Sequence, residues 1–184
     1  MRKMQIGVMG SAADLKYSAE LEDLAREIGQ EVAKAGAVLV FGAEKDYDSL
    51  STAAGRGARQ ANGLTLGITY GKNLETYDQA DVTVATGLER GGGREFSLVL
   101  SCDAIITICG GSGTLNEMLV AYQAGIPMVA MKNTGGWSEK MADQYFDNRK
   151  RVSVVGCQDA KEAVKKALTL AKTSAQNRVE REHL

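Results

Sequence analysis

Apolar positions fall into two alternating patterns along the chain: short unbroken runs, and longer stretches spaced at helical intervals. Residues 5–9 form the first unbroken run, stopped by Gly10-Ser11, and read as a strand. Over residues 17–35, Leu21, Leu24, Ala25, Ile28, Val32 and Ala33 recur at the spacing of one helix face, and Gly36 follows where a helix end favours glycine. Residues 37–41 are uniformly apolar, the pattern of a strand buried on both faces. A loop over 42–48 leads to a small-residue helix over 49–61, closed by Asn62-Gly63, and residues 64–68 read as a third strand. Residues 69–80 are polar and irregular, and 82–85 is a short strand-like run.

The second half repeats this rhythm. A helix is predicted over 94–101, a strand over 104–109, and a glycine turn over 110–114 that opens a helix ending at Ala124-Gly125. A strand over 127–131, a helix over 138–146, a short strand over 152–155 and a closing helix over 158–172 follow. Strands alternating with helices predict right-handed crossovers and one parallel sheet covered on both faces. The expected fold is therefore a single α/β domain with a doubly wound, Rossmann-like parallel sheet. It occupies residues 1–172, and 173–184 form a polar, loose tail. Ligands of such sheets bind beyond the carboxyl ends of the strands. That rule directs attention to the loops after Met9, Phe41, Ile68, Ala85, Cys109 and Met131.

Composition removes several function classes. Among 184 residues, 22 are Lys or Arg and 23 are Asp or Glu, giving a formal charge of -1. No strongly basic face, and so no nucleic-acid partner, is expected from that balance. No apolar run reaches the length of a membrane span, so no membrane partner is expected either. The opening Met-Arg-Lys-Met-Gln lacks a signal peptide's apolar stretch. Cys102, Cys109 and Cys157 are an odd count without Cys-x-x-Cys spacing, expected to be reduced thiols of a cytoplasmic protein. A single histidine, His183, sits next to the last residue, which argues against a Ser-His-Asp triad and a histidine-rich metal site. No metal and no resident cofactor are expected. Twenty-one glycines against one proline, Pro127, point instead to tight turns where backbone approaches something closely.

The feature that carries chemistry is Cys109-Gly-Gly-Ser-Gly-Thr-Leu-Asn-Glu117, where a buried strand becomes a helix. Glycines there expose N–H groups, and the helix aims its unpaired N–H groups and positive dipole end at the same spot. Thr114 adds a hydroxyl. The turn reads as a phosphate cradle made by Gly110, Gly111, Ser112, Gly113 and Thr114, with a purely structural glycine turn as the alternative. No Gly-Lys-Ser/Thr follows, so it is not a Walker loop, and no Gly-x-Gly-x-x-Gly follows the first strand.

The run from Arg94 through Cys109-Gly-Gly-Ser-Gly-Thr-Leu-Asn-Glu117 resembles the LOG ("Lonely Guy") superfamily, long mislabelled lysine decarboxylases, whose motif is Pro-Gly-Gly-x-Gly-Thr-x-x-Glu behind an arginine on the preceding helix. Twenty-three residues separate Arg94 from Glu117, which suits that pattern. The turns after strands one and two, at Gly10-Ser11 and Gly42, are similar to the superfamily's, so the likeness covers roughly residues 6–131. It implies a nucleotide-binding domain that forms a homodimer or a higher homo-oligomer. It also implies that Arg94 and Glu117 serve hydrolysis of the N-glycosidic bond of a nucleoside 5′-monophosphate. The carboxylate would stabilise an oxocarbenium-like ribose and orient water, and the guanidinium would hold phosphate or ribose oxygens. Nothing in the sequence marks a pyridoxal phosphate site.

Departures from the enzyme motif change that expectation. Cys109 replaces its proline, Asn116 its first glutamate, and Glu95 the lysine after the arginine. The loop after strand two carries Glu44, Asp46 and Asp48, which would repel a phosphate or hold a metal. These features sit closer to the branch resembling molybdenum-cofactor carriers. The alternative function is therefore a non-catalytic carrier or sensor of a nucleotide-like cofactor such as molybdopterin. Bland alternatives stand beside each site residue. Arg94 could be a surface arginine behind Gly91-Gly92-Gly93, Glu117 a dipole-favoured acid, Ser11 a turn cap, and Cys109 a small hydrophobe. Asp103 could end a helix or cap the next strand. Trp137 could stack on a base or fill a core or dimer interface.

Overall fold

The computed structural model describes residues 2–89 and 93–182; Gly91, Gly92 and His183, named above, lie outside them. Seven strands form one parallel sheet: β1 (Gln5–Gly10), β2 (Val38–Gly42), β3 (Leu64–Thr69), β4 (Val82–Ala85), β5 (Ala104–Ile108), β6 (Met128–Met131) and β7 (Val154–Cys157). Their spatial order is β4-β3-β2-β1-β5-β6-β7. The chain first winds outward from β1 to β4 and then returns to the other side of β1. The order therefore reverses between β1 and β5, where a doubly wound sheet opens a ligand crevice.

Alternation along each strand builds two cores. Ile6 and Val8 of β1, Leu39 and Phe41 of β2, and Ile106 and Ile108 of β5 point to one face. There they meet α1 (Ala19–Lys34), α2 (Leu50–Gln60) and α6 (Ala160–Glu182). Met9, Val40 and Ile105 point to the other face, against Leu98 of α3 (Arg94–Leu100) and Met118 and Tyr122 of α4 (Ser112–Ala124). α5 (Gly136–Met141) completes that layer. This is the doubly wound α/β fold expected from the sequence.

Four elements differ from expectation. A short 3-10 turn, Ala13–Leu15, precedes α1, in a stretch too short for helical periodicity to reveal. α5 ends at Met141 rather than near 146, and the last strand begins at Val154. The closing helix does not stop near Lys172 but runs on to Glu182, so the residues read as a loose polar tail are largely helical. Their polar composition supplies no apolar stripe. Ala, Lys, Glu and Arg nevertheless have high helical propensity and continue a helix already nucleated by buried Ala163, Val164 and Ala167. No described helix is long and apolar enough to cross a membrane.

Candidate functional site

Beyond the carboxyl ends of β1, β2 and β5 lies a cavity of about 410 Å³. Its wall contains Gly10 at the end of β1, Ser11 after it, Gly42 at the end of β2, Arg94 and Glu95 of α3, and Gly111, Ser112, Gly113, Thr114 and Glu117 of the glycine turn and α4. Of the ten residues expected to bind ligand or serve catalysis, nine are therefore on that wall, with one exception.

The exception is Gly110. It lies behind the wall, where its N–H donates to Ser11 Oγ at 2.9 Å and its carbonyl accepts from Trp137 N–H at 3.0 Å. The glycine is needed there because its φ is +94° and a Cβ would meet Thr114 Cβ at 2.5 Å. Its neighbour Cys109 also has a positive φ, +53°, and its N–H donates to Thr134 Oγ1 at 2.9 Å. Proline could supply neither that angle nor that donor, which explains the departure from Pro-Gly-Gly at this position. Trp137 opens α5 and packs into the second core with Lys140 over its ring, so it does not face the cavity.

The turn leaves α4 well set for an anion. Leu115 N–H bonds Gly111 O at 3.1 Å, while among the described residues the N–H groups of Ser112, Gly113 and Thr114 have no protein acceptor. Thr114 is buried on the cavity wall.

Arg94 is not a surface residue. It is 5% exposed, and its Nη2 lies 2.5 Å from Glu44 Oε1 and 3.7 Å from Glu95 Oε1. Gly42 makes room for it, because a Cβ there would meet Arg94 Nη1 at 2.5 Å. Among the described residues Arg94 Nε meets no acceptor. Glu117, 8% exposed, has no hydrogen-bond or ion-pair partner among the described residues. Burial pushes its carboxyl up to about 7; Arg94 opposes the rise, and Glu95 and Glu44 add to it.

The acids of the loop after β2 do not form one cluster. Glu44 pairs with Arg94, Asp46 accepts from Tyr70 Oη at 3.1 Å, and Asp48 accepts from Arg56 at 3.0 and 2.9 Å. Among the described residues no three carboxylate, thiol or imidazole groups converge as metal ligands would. Asp103 ties the start of β5 to β1, accepting from Gln5 N–H at 2.8 Å and from both Arg2 Nη atoms. Cys102, Cys109 and Cys157 are free thiols, and burial raises Cys102 and Cys157 out of the range of a reactive thiolate.

Sequence reasoning missed Ser49 and Ser51, which bring the start of α2 to the same wall, along with Tyr47, Asp14 and Leu15. The strand-end rule pointed to the loop after Phe41, and Ser49 had the signature of a helix cap; its Oγ accepts from Thr52 N–H at 3.0 Å. Asp14 and Leu15 lie on the 3-10 turn, which had no signal.

Fold and cavity together define a doubly wound α/β domain with a ligand crevice at its topological switch point. Comparison with known proteins gives the family. The family model "SLOG cluster4 family" matches residues 3–164, and the chain belongs to it. An uncharacterised protein of Archaeoglobus fulgidus is 32% identical over 132 residues, spanning 72% of this chain and 82% of the relative. The solved molybdenum cofactor binding protein of Rippkaea orientalis has 28% identity and a TM-score of 0.78, over 92% of this chain and 98% of that one. The molybdenum cofactor carrier protein of Chlamydomonas reinhardtii has 28% identity and a TM-score of 0.75 over the same shares.

Proposed function

We propose that the protein binds a phosphorylated, nucleotide-like small molecule of the molybdopterin class in this cavity and carries or senses it without cleaving it. The observation that carries the reading is the Glu44–Arg94 pair. The arginine that the hydrolases would turn to substrate oxygens is here buried against an internal carboxylate, with Glu95 beside it. A phosphoryl group is then taken up by the α4 start, through the N–H groups of Ser112, Gly113 and Thr114 and the Thr114 hydroxyl. Gly10, Ser11, Gly42 and Gly111 shape the wall against the rest of the ligand, with Gly110 supporting the turn from behind. The two molybdenum-cofactor proteins above support the ligand class.

A second reading, phosphoribohydrolase action on nucleoside 5′-monophosphates, is favoured by Glu117. A buried carboxyl raised to about 7 suits a general acid or base at neutral pH. Single-turnover assays of base release from a panel of nucleoside monophosphates, with calorimetry of the same ligands and of molybdopterin, separate the two. The carrier reading expects binding without release; release that vanishes in Glu117→Gln establishes the hydrolase.

The homodimer implied by the LOG resemblance is part of the same proposal. α3 and α4 pack together and leave Phe96, Leu100 and Leu119 exposed, which supports it. A monomer in sedimentation at micromolar concentration removes it.

A further inference from the structure

Ser11 stands between two helix starts. Its carbonyl accepts from the N–H of Leu50, first residue of α2, at 3.0 Å, and its Oγ accepts from Gly110, just ahead of α4, at 2.9 Å. Gly10 is wedged between them, since a Cβ would lie 2.7 Å from Leu50 Cβ and 3.0 Å from Ile108 O. The loop after β1 thereby holds the two starts on either side of itself, with β2 and β5 two strand spacings, about 10 Å, apart. Both starts open into one cavity, α2 through Ser49 and Ser51, α4 through residues 111–114.

At the start of α2 the donors can be assigned one at a time. Leu50 N–H bonds Ser11 O, Thr52 N–H bonds Ser49 Oγ, and Ala53 N–H bonds Ser49 O at 2.9 Å. Among the described residues, the N–H of Ser51 has no acceptor, and neither does its hydroxyl have a partner. Yet Ser51 is only 8% exposed and lies on the cavity wall. A buried, unmatched N–H and O–H at a helix start, both beside a cavity, await an anionic oxygen. The nearby Asp48 carboxylate does not oppose one, because Arg56 holds both of its oxygens.

We propose that Ser51 and the start of α2 form a second phosphoryl subsite, so that the cavity takes a nucleotide-like ligand carrying two phosphoryl groups, one at each helix start. This deepens the binding reading above and rests on it, since the first phosphoryl group occupies the α4 start. Within the nucleotide-like class proposed above, the ligand narrows to pyrophosphate-bearing molecules, such as a nucleoside diphosphate or a pterin joined to a nucleotide through a pyrophosphate.

Calorimetry on the full chain with four probes tests it: inorganic phosphate, pyrophosphate, GMP and GDP. Pyrophosphate over phosphate, and GDP over GMP, are expected to bind tighter by about tenfold or more. Ser51→Ala shrinks that preference. Ser51→Asp abolishes it by putting a carboxylate in the subsite, at a position where acidic residues favour the helix, so folding is retained. In both variants the affinities for phosphate and GMP fall less than those for pyrophosphate and GDP, so the readout is the ratio within each pair of probes. Equal affinity of the wild type for one and two phosphoryl groups, or a preference that survives Ser51→Asp, overturns the second subsite and leaves the first reading standing. If none of the four probes binds, neither helix start takes a phosphoryl group and the second subsite falls, while calorimetry with molybdopterin decides the binding reading separately.

Discussion

Glu44 Oε1 lies 2.5 Å from Arg94 Nη2, joining the loop after β2 to the first turn of α3 across the cavity wall. Both side chains are less than a tenth exposed, so the attraction works in a poorly screened setting. Arg94 is also the one basic side chain on the described wall. Removing it leaves Glu44 and Glu95 as buried carboxylates, which costs about 3–5 kcal/mol. Urea denaturation of Arg94→Met is expected to show a loss of that order, and adding Glu44→Gln to recover part of it. Glu44→Gln alone releases the guanidinium and tightens binding of phosphorylated ligands several-fold. Weaker binding in that variant would mean that the pair positions Arg94 for the ligand.

Glu117 gives the stability of the protein a pH dependence of definite sign. Its carboxyl is raised by burial to about 7 in the folded chain, against 4.5 ordinarily. Below both values the group is protonated in both states and its contribution is constant. Between them the folded state holds a proton that the unfolded state has released, so stability falls as pH rises, by up to about 3 kcal/mol in all. Above about 7 the contribution is flat again. Denaturation across that window should show the decline in the wild type and lose it in Glu117→Gln, which gains stability at pH 8. An unchanged slope in the variant would assign the decline elsewhere.

The glycine turn depends on the loop that backs it. Gly136 packs so closely on Cys109 and Gly110 that a Cβ would lie 2.5 Å from Cys109 C and from Gly110 O, and its φ is +61°. Trp137 and Ser138 N–H groups then hold the carbonyls of Gly110 and Cys109 at 3.0 and 2.8 Å. Gly136→Ala therefore combines a left-handed backbone with a backbone clash that no rotamer relieves. A loss of about 1–3 kcal/mol is expected, together with weakened phosphate binding although the residue touches no ligand. Calorimetry beside thermal denaturation checks both. Unaltered binding would show that the turn holds its shape without this support.

Most of the fold was legible because strands buried on both faces, such as β2 and β5, leave unbroken apolar runs, and helices such as α1 leave a periodic stripe. α6 was cut short in that reading because its last turns carry no stripe and persist by propensity and continuity. The site was legible where strand ends and the Gly-Ser-Gly-Thr turn coincide. Glu44 could be placed near the pocket but not paired with Arg94, since fifty residues separate them and only the packing of α3 against β2 brings them together. Gly110 was read as a ligand contact because exposed glycine N–H groups suggest one. The long-range bond to Ser11 that turns its N–H away leaves no mark in the local sequence. The small-residue character of α2 was visible, but its reason was not.

That reason is the crossing of α1 over α2. A Cβ on Gly29 would lie 1.9 Å from Ala54 O, and one on Gly57 would lie 2.0 Å from Arg26 O, so each helix presses a glycine against the other's backbone. In an isolated helix Gly→Ala stabilises by about 1 kcal/mol. Here the sign reverses, because backbone cannot move aside as a side-chain tip can, and the two helices must separate along the whole crossing. Gly29→Ala and Gly57→Ala are each expected to lower stability by more than about 2 kcal/mol in urea denaturation. The double variant should cost less than the sum of the two, since one separation relieves both clashes. Because the start of α2 carries Ser49 and Ser51 to the cavity, the same separation is expected to weaken ligand binding in both single variants. A single variant that is stabilised would show that the helices are not in this close contact.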